Sequence, residues 1–209
     1  MEERDIHWSN QLEQLIAQEG EKARGLAYIH QRCEQIYNTK NNYLTIPIIV
    51  ASTLAGTASV GSSTLFPDDT KVGSIVIGLI SISVGILNTI NSYFAFAKKA
   101  ESHRIAYLQY SKLFSTISIE LSLPREERDQ PEHILGQLRS TMERLAETTP
   151  SPLSSVLDEF NSKFKDKYQD VARPSETNGL QKIVIFRNPA SDVVTPKNIS
   201  LQVDGTISN

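Results

Sequence analysis

Two stretches of the chain carry no charged residue: Tyr43–Ser63, YLTIPIIVASTLAGTASVGSS, and Val72–Ala97, VGSIVIGLISISVGILNTINSYFAFA. A bilayer core of roughly 30 Å needs about 20 predominantly apolar residues in a helix, and each stretch supplies that length. The segment between them, from Phe66 to Lys71, contains proline and charged residues and is too polar for hydrocarbon. The sequence therefore predicts an integral membrane protein with two antiparallel transmembrane helices and an exposed tip.

Small and hydroxyl-bearing residues recur at helical spacing in both predicted spans, and the second span also contains two amides. Small residues let helices approach closely in lipid, where no hydrophobic effect drives their association. An amide in lipid is costly unless it meets a helix or water. We expect these residues either to pack helices together or to line a pore: Ala51, Ala55, Ser59, Gly78, Ser81, Gly85, Asn88 and Asn91.

Basic residues flank the two spans on one side, whereas the acidic tip has a single one. Cytoplasmic loops of membrane proteins carry an excess of lysine and arginine. Both termini are therefore predicted on the cytoplasmic side of the membrane. The flanking residues are Arg24, Arg32, Lys40, Lys98, Lys99 and Arg104, against Lys71 in the tip.

The helical spacing along the whole chain predicts an all-α membrane protein with four parts. Residues 1–40 form an amphipathic N-terminal helix, 41–97 the hairpin, 98–170 a soluble helical region and 171–209 an extended tail. We expect the first helix to end near Asn38, with a weak point at Gly20 and Gly25, and the first span to begin with Pro47 in its first turns.

Helical spacing continues after Ala97 and stops at Leu123-Pro124. A second helix is predicted from Glu132, with leucines and a methionine at three- and four-residue steps. Ser151 and Pro152 supply an N-cap and a first-turn proline for a third helix. These helices should pack beside the N-terminal one, because each has an apolar stripe to cover.

The tail changes to turn formers and β-branched residues, with strand candidates at Lys182–Phe186 and Ile199–Val203. Two isolated strands are marginal in water, so we expect the tail to be disordered or to add to a partner's sheet. The candidate partner-binding residues are Ile183, Ile185, Leu201 and Val203. Other protein subunits, in a homo- or hetero-oligomer, are therefore the predicted partners besides the lipid bilayer.

Several function classes have no support in the sequence. The net charge of -3 has interspersed signs, which gives no basic face for nucleic acid. Four scattered histidines and the single Cys33 predict no metal site. No phosphate loop, nucleophile elbow or dinucleotide fingerprint is present. We therefore predict neither enzymatic activity nor a cofactor.

The order of parts, together with the run Ile90–Arg104 (INSYFAFAKKAESHR), resembles the SLATT family. This group comprises small two-transmembrane proteins of bacterial conflict systems, eukaryotic microbes and large DNA viruses. The likeness extends from about Ile6 to Tyr168. For bacterial members the resemblance implies a pore-forming effector under the control of a nucleotide-sensing partner.

The chain departs from that setting because no sensor domain is fused to it and because it ends in the strand-like tail. This favours a structural protein that anchors an assembly to a membrane, similar to a membrane-linked minor capsid protein of a large icosahedral virus, with the inner membrane of a virion as its location. The pore-forming effector is the competing hypothesis.

Overall fold

The computed structural model describes residues 6–61, 70–164 and 170–178, all within one compact unit, Met1–Gly179. These residues are mostly helical and contain no strand, which confirms the predicted helical class. The helices are α1 (Asn10–Val60), α2 (Thr70–Phe94), α3 (Phe96–Ser122), α4 (Pro131–Thr148), α5 (Ser154–Phe164) and the single turn α6 (Ser175–Asn178), with a short 3₁₀ turn at Arg125–Glu127.

Helix α1 runs without interruption for 51 residues. It begins where the Ser9 hydroxyl accepts a hydrogen bond from the Leu12 amide (3.2 Å). The predicted end near Asn38 is wrong, and Pro47 lies inside the helix instead of in its first turns. Proline removes one backbone hydrogen-bond donor. A helix tolerates that loss where other helices pack against it before and after the proline, as α3 and α2 do here.

Helices α2 and α3 are separated by one residue, Ala95, which has left-handed backbone angles (φ 48°, ψ 44°). Together they run antiparallel to α1. Their contacts with it fall in reverse order along the chain, from Asn91 with Thr45, through His103 with His30, to Ile117 against Gly20.

We call residues 10–40 of α1 together with α3, α4, α5 and α6 the head, and residues 41–60 of α1 together with α2 the apolar arm. The main core of the head lies where α1, α3 and α4 meet. Its buried members recur at three- and four-residue steps: Ile16, Ala23, Leu26, Ala27, Ala106, Tyr110, Leu113, Ile117, Ile134, Leu138 and Leu145. The apolar stripes predicted for these helices are thus used to pack them against one another.

A second, smaller core joins α1 to α5 through Ile29, Cys33, Val156 and Phe160. Helix α5 begins at Ser154, two residues after the predicted first-turn Pro152, so the predicted N-cap at Ser151 is wrong. The amide of Leu153 donates to the Cys33 thiol instead (3.4 Å).

The N-terminal end of α1 is tied to the α3–α4 connection by charge. Arg125 and Arg128 both donate to the Glu13 carboxylate (2.7 and 2.6 Å), and these hydrogen bonds lower the pKa of Glu13 to about 2. The Trp8 indole donates to the Asp129 carbonyl (3.2 Å) and lies under the Arg128 guanidinium. The far end of the head is therefore fixed by a polar network.

The predicted extended tail, 171–209, is wrong in its first part. Pro174 is buried against Gly25 of α1, and α6 follows it directly as a helical turn. The strand candidates and the residues Ile183, Ile185, Leu201 and Val203 lie outside the described residues, as does most of the predicted tip.

Candidate functional site

The first candidate site is the outer surface of the apolar arm. The arm's two helices are long and apolar enough to cross a membrane, and only 6% of the most apolar window of each is buried inside the protein. The core helix of a water-soluble protein has the same composition but is mostly buried. Large apolar side chains of the arm are instead more than half exposed: Tyr43, Ile46, Ile49, Val50, Leu54, Val60, Ile75, Leu79, Ile82 and Ile86.

Hydroxyl groups on this surface have their hydrogen bonds within their own helix. Thr53 and Thr57 donate to carbonyls one turn earlier in α1 (2.8 and 2.7 Å), as do Ser81, Ser83 and Thr89 in α2 (2.9 Å each). Such back-bonding removes the need for water at these side chains. The surface is therefore apolar in effect despite its many serines and threonines.

The small residues predicted to mediate helix packing fall into two groups. Ala55 is buried and Ala51 half-buried, on the side of α1 where α2 packs. Gly78 is half-buried, and the remaining members, Ser59, Ser81 and Gly85, are exposed. A Cβ atom added to Gly78 or Gly85 would meet nothing within 4 Å.

The two amides of α2 also differ. Asn91 donates from Nδ2 to the Thr45 hydroxyl of α1 (3.3 Å), whereas its Oδ1 is buried without a partner among the described residues. Asn88 is exposed and has no hydrogen-bond partner in the described part of the chain. The structure thus makes Asn91 an interhelical contact and leaves Asn88 on the outer surface.

The second candidate site is a column of stacked rings that runs from the core of the head to the start of the arm. Tyr110, His30, His103 and Tyr37 follow one another, taken alternately from α3 and α1, with ring centroids 5.6, 5.1 and 5.4 Å apart. Contacts continue from Tyr37 to Phe96 (6.2 Å), and from Phe96 to Phe94 (5.2 Å) across the left-handed Ala95. The column therefore connects the head core with the break between α2 and α3.

The two histidines at the centre of the column form a buried hydrogen bond. Their Nδ1 atoms lie 2.8 Å apart, and each side chain is only 1% exposed. Two neutral imidazoles can share such a bond if one carries its proton on Nδ1 and the other on Nε2. Burial lowers the pKa of both rings, and the charge of the other histidine lowers that of His30 further, to about 4. The pair is therefore neutral at pH 7.

The two histidines lie 73 positions apart, so no local sequence pattern predicted that they pair. One signal was available. His30 continues the buried stripe of Ala23, Ala27 and Cys33, and His103 lies between Ala100 and Ala106 on α3. A histidine inside an apolar stripe needs a polar partner. Each of these two histidines lies in the buried stripe of its own helix, which makes each a candidate partner for the other.

Other features of the head offer less chemistry. A cavity of about 500 Å³ between α1, α3 and α5 is lined by Arg24, Tyr28, Phe114, Phe160 and Arg173, among others. Arg24 lies over the Phe114 ring, 5.6 Å from its centroid. Within the described ranges no three histidine, cysteine or acidic side chains are grouped so as to hold a metal ion.

Comparison with family models, with curated proteins and with solved structures finds no match for this chain. The resemblance carried by Ile90–Arg104 therefore stays a prediction.

Proposed function

We propose that this protein is a non-enzymatic membrane anchor that inserts the apolar arm into a bilayer as a helical hairpin and holds the head at its surface. The exposed apolar surface of the arm carries the proposal. In water each exposed leucine or isoleucine forgoes about 2 kcal/mol of burial, and the seven that are more than half exposed on the arm would make it insoluble. A bilayer satisfies the whole surface.

The arrangement of helices supports an anchor with a fixed head. Helix α1 is about 75 Å long at 1.5 Å per residue and passes from the head into the arm without a loop. Helices α2 and α3 do the same beside it, with Ala95 as the one non-helical residue between them. A load on the head would therefore be transmitted to the membrane segments through two helices.

Basic residues support an orientation with the head and both termini on the cytoplasmic side. Lys40 and Lys99 lie where the arm joins the head, each with its ammonium nitrogen within 6 Å of the Tyr37 ring centroid. Lysine at this position favours the cytoplasmic interface, where anionic lipid is enriched.

The protein assembly that the anchor would hold is part of the proposal and rests on the sequence. The strand pattern after Leu180 is the feature that supports a partner protein, and a virion shell is the assembly that the sequence resemblance suggests. A chain ending at Asn178 tests this part, because it keeps Pro174 and α6, which belong to the head. We expect it to stay in the membrane and to lose the partner on gentle detergent extraction.

Membrane insertion is tested by placing arginine on the arm. Leu54 and Ile82 are 64% and 63% exposed, and an arginine at the centre of a span costs about 3 kcal/mol. We expect the double variant Leu54→Arg/Ile82→Arg to be released from membranes by alkaline carbonate, whereas the native chain stays in the pellet.

A matched control uses apolar residues that are exposed on the head. Leu108 and Ile119 are 47% and 62% exposed on α3. The variant Leu108→Arg/Ile119→Arg should remain in the membrane fraction like the native chain. If both double variants stay in the pellet, or both leave it, the apolar arm is not the membrane anchor.

A pore-forming function is the second candidate, and one observation favours it. Asn88 is exposed in the middle of an apolar helix, on a face with Gly78, Ser81 and Gly85. In lipid this amide needs a partner, and the same face of further copies, with water in the middle, would supply one.

The two functions predict different permeability of a membrane that contains the protein. A pore requires the reconstituted native chain to release a small dye from liposomes, and Asn88→Leu to abolish the release. The anchor requires tight liposomes at every protein density and the same membrane retention for Asn88→Leu. Dye release by the native chain would therefore replace the anchor proposal with the pore.

A further inference from the structure

We propose that the His30–His103 pair is an acid-sensitive contact whose double protonation separates α1 from α3 inside the head, on the side of the head that leads to the apolar arm. At neutral pH the Nδ1–H of one ring donates to the Nδ1 of the other across 2.8 Å. The proposal concerns the packing of the head and holds whether or not the anchor function is correct.

The geometry makes the contact a two-step titration. A first proton leaves one imidazolium donating to one neutral imidazole, so the hydrogen bond survives with one buried charge. A second proton puts an N–H on both facing nitrogens, and neither can accept. Two like charges at that distance in a buried site repel strongly, so the rings must separate or admit water.

The surroundings supply no compensating negative charge at the pair. The titratable groups that face the column are Tyr110 from α3, with Tyr37 and Cys33 from α1, and burial raises the pKa of all three. All three are therefore neutral at pH 7. No carboxylate hydrogen bonds to either imidazole in the described part of the chain.

Charged residues lie at both ends of the column and beside it. Lys40 and Lys99 lie over Tyr37, and Glu176 of α6 acts on Tyr110 at the opposite end. Helix α5 contributes Glu159, which is paired with Arg32 (3.0 Å). The lysines oppose protonation of the histidines. Among the described acidic residues, Glu176 acts on Tyr110, and the half-buried Glu34, one turn after His30 on α1, acts on Arg104 of α3.

Ring contacts give the separation a route to the membrane side. Tyr37 stacks on His103 and also contacts Phe96, which follows the left-handed Ala95. Displacement of His103 therefore removes the neighbour that positions Tyr37 against the start of α3.

The pH at which the contact opens follows from the direction of the pKa shifts. Both histidines have a lower pKa in the folded chain than the ordinary 6.5, so the unfolded chain binds protons first as the pH falls. Their stabilisation is complete above pH 6.5 and is lost as the pH falls towards about 4, the pKa of His30. The shifted carboxylates Glu13, Glu101, Asp129 and Glu159 all have lowered pKa values, so they act below about pH 4.5.

The test is the midpoint of thermal unfolding of the full chain in detergent micelles between about pH 7.5 and pH 5, which isolates the histidines from the carboxylates. We expect the native midpoint to fall by about 5 °C over this range. The variant His30→Gln/His103→Gln has two amides that can bond to each other and do not titrate, so its midpoint should stay level. His7→Gln, at an exposed position, should fall like the native chain.

A second measurement does not depend on that variant being folded. Asn38→Cys on α1 and Lys98→Cys on α3 are exposed positions for spin labels, while the buried Cys33 thiol, with its raised pKa, stays unlabelled. The label distance should lengthen reversibly as the pH falls from about 7.5 to about 4, the pKa of His30. An unchanged distance, or a histidine-free variant that loses stability in parallel with the native chain, overturns the proposal. Carbonate extraction of the same samples reports separately on the anchor.

Discussion

The head and the apolar arm are built from the same long helices, yet their glycines have opposite surroundings. In the head, a Cβ atom on Gly20 would lie 3.0 Å from Ile117, and one on Gly25 would lie 2.6 Å from Pro174. In the arm, Gly56, Gly78 and Gly85 have no such neighbour within 4 Å. Gly20 and Gly25 thus bring elements of one chain together in the head, whereas Gly56, Gly78 and Gly85 leave room for lipid or for another helix. Gly136 of α4 is open like these three, and Gly73 of α2 is buried, so the contrast concerns these five positions.

Large apolar residues show the same contrast, and truncating them should have the largest effect. Leu145 is 1% exposed in the head core, so Leu145→Ala should cost about 2–5 kcal/mol of unfolding free energy. Leu79 is 61% exposed on the arm, so Leu79→Ala should change the same quantity by less than about 0.5 kcal/mol. Chemical denaturation of each variant in detergent, followed by circular dichroism, measures both. Equal losses would mean that the arm is packed as tightly as the head.

Glycine substitutions should have the next largest effect and sharpen the contrast. Gly25→Ala forces the new methyl group into Pro174 and should destabilise the head by about 1–3 kcal/mol. Gly85→Ala meets open space and should be neutral or slightly stabilising, because alanine favours helix. The two variants differ by the same single methyl group. A destabilising Gly85→Ala would instead show that another helix covers this face in the measured sample.

The residue between the two regions should have the smallest effect, and in the opposite direction. Ala95 is left-handed, which costs an L-residue about 1 kcal/mol, so Ala95→Gly should stabilise the chain by up to that amount. Ala97 lies two positions later in ordinary helix, where Ala97→Gly should destabilise by up to about 1 kcal/mol. Chemical denaturation measures the change in unfolding free energy for each variant. If both substitutions lower the unfolding free energy, α2 and α3 form one continuous helix.

The sequence allowed the elements to be predicted where local signals were strong. The absence of charge marked the arm, Leu123-Pro124 marked the end of α3, and the leucine spacing after Glu132 marked α4. Predictions failed where local signals were outweighed by packing. Pro47 suggested a helix start, but α1 passes through it because α2 and α3 support the helix on both sides.

The candidate sites were predictable to different degrees for the same reason. The exposure of the arm follows from its composition. Two uncharged stretches of more than 20 residues each can cover only one side of each other, and the rest of the chain has no apolar surface of that size to cover the remaining sides. The histidine pair depends on the register between α1 and α3. The residues around His30 in the sequence do not specify that register. The tyrosines that stack on the pair, Tyr110 and Tyr37, are themselves placed by the same packing of α1 against α3.

The amino-acid sequence alone determined that two long apolar helices would lie beside a set of amphipathic ones, since hydropathy and helical spacing are local properties. Only the tertiary structure decided which glycines are packed against a neighbouring element and which face open space. It also decided that Asn91 binds Thr45 while Asn88 is exposed, and that two distant histidines share a hydrogen bond. These outcomes depend on the rotation and register of packed helices, which are set by the sum of many contacts between distant parts of the chain.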